Sequence, residues 1–240
     1  MKRELLLIMF CVFAVMLNAQ IPEAKVIWDF PIQPGTEEWN ALRTDENPLN
    51  AYNIPDEILR NISTEELVKT CLSYPQWGLI HAYNSRVQGF SVIIRLFNGF
   101  SELFNRMDAT TELMKAYNQL DPLAVDPDWT DLLKGMYSHK FEGFEILFFW
   151  PGMIEKLDKA GIRELKETVI SKYQKKRILP EIYDMWCLSP TVAVCATIIR
   201  KENFDLFNSI SGIGLLMFNL YSEDIYFMDS IVELLEKMEI

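Results

Sequence analysis

The residues best able to do chemistry lie in one short stretch, SHKFEGFEILFFW, from Ser138 to Trp150. His139, Glu142 and Glu145 follow one another there at intervals of three. Residues three apart on a helix share a face, so Glu142 and Glu145 would stand side by side. Phe141, Phe144, Phe148 and Trp150 surround them in the sequence. Carboxylates amid aromatic rings lose hydration, and their pKa values rise toward the range that acid–base catalysis uses. Glu142, Glu145 and His139 are therefore the candidate catalytic residues. A solvated polar stripe on an amphipathic helix is the commoner fate of such a pattern and is preferred here.

A second group follows Pro75: Trp77, His81, Tyr83 and Asn84. Aromatic rings beside an amide suit recognition of a glycan or peptide. Trp77, His81 and Asn84 are the candidate ligand-binding residues, with ordinary corner packing as the favoured alternative. The chain has only two histidines, neither in H-E-x-x-H, and it has no C-x-x-C. No metal and no cofactor are expected. G-x-S-x-G is absent, and Gly212-x-Gly214 reads as two glycines within an apolar helix, not a phosphate loop.

The elements that must position these residues read as helices. Ser63-Thr-Glu-Glu66 is a capping box, with Ile62 and Leu67 at the staple positions around it. That helix stops before Pro75. Gln76 to Asn84 is a short helical segment, and Val87 to Met107 is expected as one long helix with a single narrow polar stripe. Gly89 and Gly99 would let neighbouring helices approach closely. Asp108, Asp126-Pro127, Ser189-Pro190 and Ser222 are expected to start the later helices. Met153 to Ala160 reads as a short helix closed by Gly161, followed by a helix over Ile162 to Leu179. Its basic end, Lys175-Lys-Arg177, complements the helix dipole. Phe204 to Tyr221 reads as one core helix.

The expected fold is all-α: an irregular multi-helix array, with a HEAT-like α-solenoid as a structural hypothesis and an extended N-terminal arm. The solenoid idea rests on a shared rhythm between Leu103–Tyr117 and Ile154–Tyr173, offset by about 50 residues. Three regions are expected: a signal peptide over 1–19, an irregular arm over 20–53, and one helical domain over 54–240. In the arm, Trp28, Phe30 and Trp39 are expected to insert into the helical body, and Val26 to Phe30 could form a short strand.

The start of the chain, MKRELLLIMFCVFAVMLNAQ, has the layout of a secretory signal: Lys2 and Arg3, an apolar run too short to span a bilayer, then Ala19. Its removal would take Lys2, Arg3 and Glu4, leaving 21 basic and 33 acidic residues, a net charge of −12. Such acidity disfavours nucleic-acid binding and anionic membranes. No membrane span is expected after signal removal. The protein is expected to be exported, to the periplasm or beyond the cell. Cys71, Cys187 and Cys195 remain after signal removal and are read as unpaired residues of the interior.

The motifs I-P-D-E-I-L (54–59), S-T-E-E-L-V-K-T-C-L-S-Y-P (63–75) and N-G-F-S-E-L-F-N-R-M-D-A (98–109) resemble an uncharacterised family of secreted, Bacteroidetes-type helical proteins. The N-A-Q at 18–20 fits the same lineage. The resemblance covers roughly residues 28–120. It implies export and an all-helical domain, and it supplies no catalytic residue. The functional expectation is a non-enzymatic protein-interaction or structural module of the cell envelope, whose partner is an unknown protein or envelope component. The alternative is an envelope-polymer hydrolase using Glu142 and Glu145.

Overall fold

The computed structural model describes residues 27–42 and 48–240. The signal peptide expected over 1–19, and the arm's residues 20–26, lie outside the described residues. Among those described there are twelve α-helices, three 3-10 segments and no strand, so the fold is all-α. The helices are α1 (Glu37–Asn40), α2 (Asp56–Asn61), α3 (Thr64–Leu72), α4 (Arg86–Leu96), α5 (Asn98–Asn105) and α6 (Ala109–Asn118). There follow α7 (Asp131–Phe149), α8 (Lys159–Arg177), α9 (Met185–Glu202), α10 (Phe204–Ser209), α11 (Ile213–Asn219) and α12 (Ile225–Lys237). The 3-10 segments are Pro48–Tyr52, Trp77–Ala82 and Ile154–Lys156. None of the described helices is long and apolar enough to cross a membrane.

The arm packs as its aromatic residues require. Phe30 is buried among Tyr52, Tyr74 and Phe97, with ring centres 5.5–6.0 Å away. Trp28 donates its indole N–H to the Tyr52 carbonyl at 3.0 Å, and Trp39 packs on Tyr52. Residues 27–33 run without regular structure, so the strand expected near Trp28 is not formed there.

Local signals set several helix starts. Ser63 Oγ accepts from the Glu66 N–H, and Ile62 and Leu67 are buried around that turn. Cys71, Cys187 and Cys195 are free, with Cys71 and Cys195 buried and Cys187 half-buried.

Other boundaries move for tertiary reasons. Val87 to Met107 is two helices, broken at Phe97, whose backbone is extended (φ −134°, ψ 116°). The Asn98 side chain holds that break: it accepts from Ile54 N–H and donates to Ile54 C=O, at 2.9 and 2.8 Å. Phe204 to Tyr221 is likewise two helices. Gly212 between them takes φ +82°, a left-handed conformation that side-chain-bearing residues avoid. Asp158 caps α8 through the Gly161 N–H, so Gly161 lies in the first turn of that helix and does not close an earlier one. Thr130 caps α7, where Asp126-Pro127 was expected to do so. Asp224 caps α12 in place of Ser222. Asp108 precedes α6 without a side-chain cap bond; its carboxylate accepts from the Thr64 hydroxyl instead.

The most consequential shift is at Pro190. It does not begin a helix. It sits inside α9, which starts at Met185 under an Asp184 cap. α9 is the central element, packed against α7, α8, α10, α11 and α12. Its stretch from Leu188 to Ile199 is continuously buried.

Candidate functional site

α7 carries the predicted chemistry. It is held at one end by Thr130 and enters the core at Ser138. Glu142 and Glu145 both point inward, 7% and 0% exposed, so the expected solvated stripe is overturned. They do not act as a pair. Each carboxylate meets its own cation.

Glu145 is sealed. Its Oε1 accepts from Lys176 Nζ at 2.7 Å, Tyr117 hydroxyl at 2.7 Å and Thr191 hydroxyl at 2.9 Å. Lys176 is itself fully buried and also donates to the Cys187 carbonyl at 3.2 Å. The basic run stands in the last turn of α8, where it complements the dipole as expected, and it also makes three separate contacts. Lys175 pairs with Asp121, Lys176 with Glu145, and Arg177 with Asp229. Burial of this kind leaves Glu145 no route to a substrate.

Glu142 is buried just beneath the surface, between Arg86 on its inner side and two exposed histidines. Arg86 Nε lies 2.7 Å from its Oε1, close enough for an ion pair but without hydrogen-bond alignment. Its Oε2 is approached by His139 Nδ1 at 3.2 Å and His81 Nε2 at 3.4 Å. The two imidazole rings stand 5.9 Å apart. Burial pushes the Glu142 carboxyl upward, but the His139 and His81 hydrogen bonds and the Arg86 charge outweigh it and hold it down at about 2. The raised value expected of a catalytic acid is therefore reversed. The hydrogen bond to Glu142 raises the pKa of His139, against a smaller effect of burial.

Arg86 is the hub that sequence reading missed. It is 3% exposed at the start of α4. Nη1 donates to the Leu220 carbonyl at 2.7 Å, where α11 ends in a left-handed turn. Nη2 donates to the Trp186 carbonyl at 3.0 Å, and the guanidinium lies 4.6 Å from the Trp186 ring centre. Trp186 is four residues before Pro190, and proline has no N–H to offer that carbonyl. Arg86 supplies the missing donor. No spacing in the sequence joins Arg86 to Glu142; the Ser85 cap that precedes it was the only local signal, and it marks a helix start.

His81 reaches the cluster because the 3-10 segment Trp77–Ala82 lies tight against α4. A Cβ on Gly89 would fall 2.3 Å from the Ile80 carbonyl oxygen. Gly89 therefore permits the close approach expected of it. Gly99 instead makes room for the Phe97 ring.

The cluster borders a cleft of about 910 Å³ whose walls include Leu72, Trp77, Leu120, Met136 and Phe144, together with His81, His139 and Glu142. Of the predicted ligand-binding residues, Trp77 and His81 share this cleft. Asn84 does not; it lines a smaller hollow of about 160 Å³ with Tyr83, Arg86 and Trp186, and His81 stands between the two. Three ligand-type side chains, His81, His139 and Glu142, converge here although the sequence offered no metal spacing. The His139-x-x-Glu142 half of the set was visible on α7; His81 arrives through the fold. The chain matches no protein-family model, no curated protein and no solved structure.

Proposed function

We propose that the chain is a non-enzymatic binding module, exported as its N-terminal sequence suggests, whose cleft receives an apolar segment of a partner in the cell envelope. The observation that supports this is the cleft itself. Its volume of about 910 Å³ matches that of ligand sites, and apolar walls carry a small convergent polar group at one side. Leu132, Leu133 and Met136 stand exposed on the first turns of α7 beside it, an apolar surface that a partner would cover. The rival hydrolase reading has less support, because Glu145 is buried in the interior and Glu142, held ionised by the histidines and Arg86, is not placed to act as a general acid.

A photo-crosslinking residue at position 136, in cells secreting the chain, tests this reading. A discrete crosslinked species is expected, and Ala116→Trp, which fills the cleft, should abolish it. A crosslinking pattern indifferent to Ala116→Trp would remove the cleft as the binding surface.

A further inference from the structure

The convergence of two imidazoles on one oxygen of Glu142 has distances that a shared metal ion would also set. A tetrahedral ion about 2.0–2.2 Å from each ligand atom sets those atoms about 3.3–3.6 Å apart. His81 Nε2 and His139 Nδ1 lie 3.4 and 3.2 Å from the same oxygen of Glu142. All three ligand atoms fall within 4.8 Å of one another. Two imidazoles on one zinc would place their ring centres about 5–6 Å apart, and these stand at 5.9 Å.

The carboxylate is also held as a ligand is held. Glu142 is more than nine-tenths buried, and Oε1 has no hydrogen-bond donor aligned on it. Arg86, fixed by three anchors of its own, lies against Oε1 and leaves Oε2 to the histidines. A fixed partner of this kind on the far oxygen orients metal-binding carboxylates. The Arg86 charge also opposes a dication, so the arrangement suits a reversibly held ion.

We propose that His81 Nε2, His139 Nδ1 and Glu142 Oε2 form a binding site for a divalent transition metal, with zinc the best match. Two imidazoles and one carboxylate favour zinc and its neighbours over magnesium or calcium, which prefer all-oxygen sites. Three protein ligands leave a fourth position open. Both histidines are exposed and line the wall of the large cleft, so an ion there is reachable from it. The inference rests on ligand geometry and stands whether or not the cleft takes a partner.

The test uses the tag-free chain from Gln20 to Ile240, stripped with chelator and titrated calorimetrically with zinc chloride. One equivalent should bind. His81→Ala and His139→Ala should each weaken binding at least tenfold. Both residues are exposed, so these variants should keep the wild-type circular dichroism, whereas Glu142→Gln would strand Arg86 in the interior. Because the chain has no other histidine, binding that persists in the double histidine variant overturns the site. So does the absence of a saturable equivalent. Cobalt in place of zinc should give visible bands without thiolate charge transfer; a thiolate band would place the ion on a cysteine and equally overturn the assignment.

Discussion

Glu145 and Lys176 show what a single residue can be asked to do once it is sealed. Each neutralises the other at 2.7 Å with no exposure on either side. Removing one leaves the other charged in a medium that cannot solvate it, at a cost of about 3–5 kcal/mol. Glu145→Ala should lower the urea midpoint accordingly, and Glu145→Leu combined with Lys176→Met should recover most of the loss. A double variant no more stable than the single would refute the pairing as the cause. The sequence named Glu142, Glu145, His139 and His81, and the structure gives each of the four a charged or hydrogen-bonding partner. Their roles were not legible, because the deciding partners, Arg86 and Lys176, come from other helices. Aromatic neighbours suggested desolvation and a raised pKa; at Glu142 the His139 and His81 hydrogen bonds and the Arg86 charge reverse it, and of these only His139 lies within local spacing.

Among the elements, the full capping box was legible where single cap residues were not: Ser63 accepts from the Glu66 N–H as read, whereas the caps read at Asp126 and Ser222 fall on Thr130 and Asp224. Breaks imposed from afar were not visible: Asn98 divides the long expected helix because it bonds to Ile54. The seating of the Trp77–Ala82 segment on α4 depends on a single missing methyl group. Gly89→Ala would drive a Cβ into the Ile80 backbone. Overpacking of this kind costs roughly 1–3 kcal/mol. Thermal unfolding should show a clear drop, and His81, next to Ile80, should move away from Glu142. Histidine chemical shifts that stay at their wild-type values would contradict that linkage.

For the whole molecule, the all-helical class was readable throughout, since apolar periodicity and caps are distributed along the chain. The centrality of α9 was not, because Pro190 invites the reading of a helix start. Attachment of the C-terminal helices carries a pH signature. The Arg177 hydrogen bond holds the Asp229 carboxyl below its usual value, against a smaller effect of burial, with Tyr173 assisting. A carboxyl depressed on folding stabilises fully above its unfolded pKa and loses that contribution as pH falls through the folded value. Stability should therefore decline in acid below about pH 4, and Asp229→Asn should flatten that decline. Partial exposure limits the neutral-pH effect to roughly 1 kcal/mol or less. An unchanged acid limb in Asp229→Asn would dismiss the contribution.

Pro190 has a consequence for how the chain reaches its native state. α9 cannot satisfy the Trp186 carbonyl from within. The donor arrives from Arg86, 100 positions earlier in the chain, and the adjacent Cys187 carbonyl takes Lys176 from α8. The central helix is thus incomplete until α4, far earlier in the chain, has met it. Contacts so distant in sequence must wait for chain closure, which slows folding and discourages stable halves. Tryptophan fluorescence and far-UV circular dichroism should report one coincident unfolding transition. Arg86→Ala should shift both together, and two separated transitions would show that the halves stand alone.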